Sequence, residues 1–172
     1  TLTADAPLEH TLHMLSGNKW CNCDIEEETG GGVVPMNHAR KNTVSALQWC
    51  IGLELFLQIQ DPWRVFLTTD HPNGGPFAAY PAIIQLLMDR STRSQVLEAL
   101  PERSRRRCHL SEMEREYSLS EIVIISRAGT ARALGLKNKG HLGAGADADI
   151  ALYAPAADWA STFRKARSVI KA

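Results

Sequence analysis

Val65-Phe66-Leu67-Thr68-Thr69-Asp70-His71-Pro72-Asn73-Gly74-Gly75-Pro76 passes from apolar to polar in a single step. The run from Trp63 to Thr69 is aromatic and β-branched, which predicts a buried strand. Asp70 then falls at the strand's C-terminal edge, where (β/α)-barrel enzymes keep their chemistry. The prolines and glycines that follow let a loop turn sharply over a ligand. An aspartate at such a point also caps a following helix. Local sequence leaves both uses of Asp70 open.

Working outward, 172 residues suffice for one domain of ordinary size. A complete barrel needs about 250, so if Asp70 closes a barrel the chain holds only its C-terminal part. Thr1-Leu2-Thr3-Ala4-Asp5 has no initiator methionine and neither the basic nor the apolar region of a signal peptide. The formal net charge is zero, which gives no electrostatic case for nucleic acid or an acidic membrane as partner. Cys50 to Ile59 is apolar, but it is too short and too interrupted by Glu54 and Gln58 to span a bilayer. The four cysteines, Cys21, Cys23, Cys50 and Cys108, read as reduced thiols of a cytoplasmic protein, because Cys21-Asn22-Cys23 has no second pair to complete a zinc site. Among the six histidines there is no His-x-His; His10 and His13 can share a helix face but lack a third ligand.

Gly30-Gly31-Gly32 has no following Gly-Lys-Ser/Thr, so it reads as a loop passing close to something rather than as a phosphate loop. Asn42 is placed to cap a helix from about Thr43 to Gln60, with Val44, Leu47, Ile51 and Leu55 on its apolar face and Trp49, Leu53 and Phe56 widening it. Asp61-Pro62 stops that helix. Pro81 opens another, lined by Ile83, Ile84, Leu87 and Met88. A helical stretch over Ser94 to Leu100 leads to Arg103, Arg105, Arg106 and Arg107, which read as solvated surface. Ser118-Leu119-Ser120-Glu121 is a capping box, with Tyr117 and Ile122 as its staple. The helix that follows is expected to break near Gly129; a short turn from Thr130 to Leu134 then ends on a left-handed Gly135. A strand is expected from Ile150 to Tyr153.

Ser126-Arg127-Ala128-Gly129-Thr130-Ala131-Arg132-Ala133-Leu134-Gly135-Leu136 and Gly140-His141-Leu142-Gly143-Ala144-Gly145-Ala146-Asp147-Ala148-Asp149-Ile150-Ala151-Leu152-Tyr153 resemble the C-terminal signature of the metal-dependent amidohydrolase superfamily. Gly30-Gly31-Gly32-Val33-Val34-Pro35, Gln48-Trp49-Cys50-Ile51-Gly52-Leu53-Glu54-Leu55, Asp61-Pro62-Trp63 and above all Thr68-Thr69-Asp70-His71-Pro72-Asn73-Gly74-Gly75-Pro76-Phe77 narrow the resemblance. They are similar to the A subunit of formylmethanofuran dehydrogenase, which also occurs in the bacterial formyltransferase/hydrolase complex. The resemblance runs from about Thr1 to Tyr153.

What it implies is an α/β fold: the C-terminal part of an amidohydrolase (β/α)8 barrel over residues 1–134, with return to a small β-sandwich over 135–172. It further implies a binuclear zinc site whose histidines and carboxylated lysine lie outside this chain, with Asp70 as the metal-binding and proton-shuttling aspartate. The reaction would be hydrolysis, or reverse condensation, of the formamide on a furan-type one-carbon carrier, in methanogenesis or methylotrophy. The partners would be the small-molecule substrate and the other subunits of the complex. Within that frame, His71 polarises the formyl oxygen or holds Asp70, Asn73 orients the substrate, and Phe77 and Tyr80 flank the furan ring or pack the core. Arg40 and Lys41 are candidates for the carrier's acidic tail, against the alternative of an exposed helix flank. Two other readings compete: a dihydroorotase- or hydantoinase-like amidohydrolase, and a non-catalytic assembly subunit.

Overall fold

A computed structural model describes residues 43–69 and 76–172. Helix α1 runs Thr43–Gln58. Its buried stripe is Ala46, Cys50, Leu53 and Leu57, at spacings of four, three and four. Leu47, Ile51 and Leu55, expected to form the face, are only half-buried on its flanks. The helix is apolar nearly all round, so periodicity alone selects the wrong stripe. Asn42 and the side chain of Val44 lie outside the described residues.

After α1 the chain departs from expectation. Pro62–Arg64 forms a single 3-10 turn, capped by Asp61, whose carboxylate accepts from the Trp63 N–H at 3.1 Å. Val65 is extended, and residues 65–69 belong to no helix or ladder. The strand expected from Trp63 to Thr69 thus does not form: Trp63 and Arg64 lie in the turn, and no described strand pairs with the residues after them. Proline lacks the N–H and fixes the φ angle that a 3-10 turn uses, and an extended segment becomes a strand only beside a partner.

Helix α2 (Tyr80–Met88) begins with Pro81 in its first turn and buries Ile84, Leu87 and Met88, as the sequence indicates. Asp89 caps α3 (Arg90–Glu98) through the Thr92 N–H. The short α4 (Glu102–Arg105) and the residues after it carry the exposed arginines. The capping box opens α5 (Leu119–Val123) with both of its reciprocal bonds formed. The expected break at Gly129 does not occur: a π turn (Ile124–Ala128) joins α5 to α6 (Gly129–Ala133) without interruption. The helix then ends on Gly135 at φ +70°, the left-handed conformation glycine accepts at no steric cost.

Two arginines, Arg93 buried and Arg115 half-buried, tie these helices together. Arg93 is 1% exposed and donates to the carbonyls of Leu86, Met113 and Arg115. Arg115 donates to the carbonyls of Phe56, Leu57 and Ile59 at the end of α1, and to Glu121 at 2.7 Å. The Tyr117 hydroxyl donates to the Phe56 carbonyl at 2.6 Å. Helix ends leave carbonyls without intrahelical partners, and these side chains fill that role. Cys50 and Cys108 are buried free thiols. A hydrogen bond from Cys108 to Cys50 holds Cys50 below the ordinary thiol range and, with burial, pushes Cys108 well above it. Cys21 and Cys23, and His10 and His13, lie outside the described residues.

The sheet among the described residues is a two-stranded antiparallel ribbon, β1 (Ile150–Leu152) on β2 (Ser168–Ile170), with Ala151 opposite Val169. Between them α7 (Trp159–Phe163) packs on α2, where the Ala160 N–H donates to Gln85 Oε1 at 3.0 Å. Lys139 bridges Asp147 and Asp149, and Lys171 reaches Asp149. No described helix is long and apolar enough to cross a membrane.

Candidate functional site

The segment leading to Asp70 is held from behind by the π turn. In an α register the Gly129 N–H would bond the Ile125 carbonyl; here it reaches Ile124 instead. The spared Ile125 carbonyl accepts the backbone N–H of Leu67 at 2.8 Å. A π bulge inside a helix commonly marks a functional position, and this one supplies a backbone acceptor to the segment that leads to Asp70.

Side chains of the segment alternate. Leu67 and Thr69 are buried, whereas Phe66 and Thr68 are exposed, Phe66 at 42%. Phe66 lies over Gly129, where a Cβ would sit 3.2 Å from the ring and 2.8 Å from the Ile124 oxygen. Trp63 takes the Arg132 guanidinium 5.3 Å from its ring centroid. Thr69 is 4% exposed, and its hydroxyl has no hydrogen-bond partner among the described residues. A buried hydroxyl is normally satisfied, and none of the described residues fills that role for Thr69.

Of the residues singled out from sequence, Asp70, His71, Asn73, Arg40 and Lys41 lie outside the described residues. Phe77 and Tyr80 are described, and they come together: their rings stack at 6.5 Å between centroids and 19° between planes. Phe77 is 65% exposed, so it is not core packing. Among the described residues no three His, Cys, Asp or Glu side chains gather in a way that could hold a metal. The described part of the chain therefore supplies no metal donor set.

Sequence reasoning missed the groove beside this ring pair. Tyr153 meets Phe163 edge-to-face at 5.2 Å, and Arg127 and Arg164 share the same wall. The signal lay in aromatic and basic residues scattered between Phe77 and Arg164, which the packing of α7 on α2 brings together.

The amidohydrolase family model matches residues 4–171. Protein FwdA of Methanocaldococcus jannaschii is 51% identical over 156 residues, covering 90% of this chain and 27% of FwdA. The A subunit of the formyltransferase/hydrolase complex Fhc of Methylorubrum extorquens is 49% identical over 142 residues, covering 83% of this chain and 26% of that protein. The crystal structure of the Methylorubrum extorquens formyltransferase/hydrolase complex (FhcABCD) with methylofuran superposes with a TM-score of 0.77 at 48% identity, over 80% of this chain and 25% of that one. The chain thus spans about a quarter of the length of the relatives it matches.

Proposed function

The chain belongs to the amidohydrolase family, and from that premise we propose that it is part of a hydrolytic subunit that cleaves, or in reverse forms, the formamide between formate and the amine of a furan-type carrier. The carrying observation is the near-50% identity to FwdA and to the A subunit of Fhc, a complex whose crystal structure holds methylofuran. In the proposed architecture residues 1–134 are the C-terminal portion of a (β/α)8 barrel and 135–172 return to a small β-sandwich. The protein works in the cytoplasm, in complex with the other subunits.

Hydrolysis of an amide needs an activated water, a proton acceptor and a proton donor to the leaving amine. Two zinc ions, held mainly by residues outside this chain with Asp70 as one ligand, would supply the acidified water when bound. Asp70 takes the water's proton and returns it to the amine nitrogen. His71 donates to the formyl oxygen as negative charge develops there, or fixes the Asp70 carboxylate. Asn73 orients the formamide. Arg40 and Lys41 receive carboxylates of the carrier's tail. The Leu67–Ile125 bond and the buried Leu67 and Thr69 support this reading, because a proton shuttle needs a rigid mount.

The test is formate release from the formylated carrier by the intact protein, compared with its Asp70→Asn form. Release abolished by that substitution in a folded protein is the expected result. No release from the wild type, or equal release from both, would overturn the proposal.

A further inference from the structure

Cys50 and Cys108 come from distant parts of the chain and meet in the core. Cys50 lies in the middle of α1 and is fully buried; Cys108 follows α4 and is 8% exposed. Both are free thiols, and the Cys108 thiol donates a hydrogen bond to the Cys50 sulfur. Two further bonds bracket this contact. The Ser104 hydroxyl donates to the Thr43 carbonyl at 3.2 Å, at the start of α1. The His109 N–H donates to Glu54 Oε1 at 2.5 Å, one helical turn beyond Cys50. Cys50 and Glu54 therefore share a face of α1, and the segment carrying Cys108 is tied to that face before and after the cysteine. The contact is internal to the core of this chain, so it does not depend on what covers the surface.

A buried thiol usually acts as a small apolar side chain. Two of them in hydrogen-bond contact also present both partners of a disulfide, and inside cells such bonds are mostly transient and redox-sensing. We infer that Cys50 and Cys108 form a reversible dithiol–disulfide pair that is oxidised by a hydroperoxide. Cys50 is the nucleophile, because the bond from Cys108 favours its thiolate. Its sulfur attacks a peroxide oxygen, the O–O bond breaks, and Cys50 becomes a sulfenic acid as water leaves. The Cys108 sulfur then displaces the sulfenic hydroxyl. Glu54, whose carboxylate lies within hydrogen-bond reach of the Cys108 thiol, takes its proton and passes it to the departing hydroxide, which leaves as water. Each sulfur gives up one electron, and the peroxide takes both. The product is α1 cross-linked to the segment after α4, and a thiol reductant reopens it by exchange.

The test treats the intact, reduced and folded protein with hydrogen peroxide, then alkylates in denaturant and maps peptides without reductant. We expect loss of both Cys50 and Cys108 from the alkylated pool, a cross-linked peptide joining them, and recovery of both thiols with dithiothreitol. Circular dichroism of the oxidised protein should match that of the reduced one. In Cys108→Ser, dimedone should trap Cys50 as the sulfenic acid. Full alkylation of both cysteines after peroxide, or a cross-link that forms only once the fold is lost, would overturn the pair. A bond between Cys21 and Cys23 while Cys50 and Cys108 stay free would do the same. Should Cys108→Ser fail to fold, the wild-type peptide map decides alone.

Discussion

The Leu67 N–H and the Ile125 carbonyl lie 2.8 Å apart, and the bond between them exists because the helix around Ile125 is widened by one residue in its turn. Gly129 makes the wider turn possible, since any Cβ there would meet the Ile124 oxygen at 2.8 Å and the Phe66 ring at 3.2 Å. Gly129→Ala must therefore move backbone, at a cost of about 1–3 kcal/mol. Chemical denaturation measures the loss. An unchanged midpoint would show that the turn relaxes without strain.

Arg115 joins the end of α1 to Glu121, with both side chains mostly shielded. Arg115→Ala strips several carbonyls and a carboxylate of their donor, and should destabilise by about 2–4 kcal/mol. Arg115→Lys should recover only part, because a single ammonium cannot span the same acceptors. Equal stabilities of the two variants would contradict this account.

Stability should fall in acid. Burial raises the Glu121 carboxyl, but bonds from the Ser118 N–H and hydroxyl and from Arg115 outweigh it and hold the group below its ordinary range. Asp89 is likewise lowered, first by the Thr92 N–H and then by the Thr92 hydroxyl. Groups depressed in the folded state contribute stability that is present above the unfolded value, about 4, and drains away as pH falls through the folded one. Glu121→Gln should flatten the dependence of denaturation midpoint on pH below about 5. A curve parallel to wild type would mean that Glu121 is not a contributor.

Asp70→Asn in the intact protein should leave folding essentially unchanged and lower kcat by about 10²- to 10⁴-fold, the usual worth of a positioned acid–base group. Circular dichroism and formate release together separate loss of chemistry from loss of fold.

Replacing Arg40 and Lys41 with alanine should raise the KM for the formylated carrier more than it lowers kcat, as expected when a remote tail contact contributes equally to ground and transition states. Added salt should shrink the difference. An unchanged KM at low ionic strength would leave both residues as surface charge.

Local signals in the sequence are legible where local chemistry decides the outcome. The Ser118–Glu121 capping box, the left-handed Gly135, Pro81 in the first turn of α2 and the start of β1 at Ile150 all appear as expected. Sequence fails where neighbours decide. Nothing in Ile124 to Ala128 announces a π register, because that register is selected by Leu67 and Phe66 packing across it. The start of the strand gives way to a turn because Asp61 finds the Trp63 N–H. The buried face of α1 is ambiguous because leucine and isoleucine surround it on every side. Within the site, Phe77 and Tyr80 are legible as a pair, but Tyr153, Phe163, Arg127 and Arg164 are not, since a groove has no signature in residues so far apart in the chain.

Arg93 sets a condition on how this molecule assembles. Its guanidinium sits in the interior, where Nη1 and Nη2 donate to carbonyls seven, twenty and twenty-two residues away while Nε finds no partner among the described residues. If the corner between α2 and α3 closed before the 113–115 segment arrived, a cation would be shut away from water with acceptors missing, an arrangement that costs several kcal/mol. The corner and the distant segment must therefore close in one event. In native-state hydrogen exchange the amides of the two regions should become labile together, so that neither opens while the other stays shut.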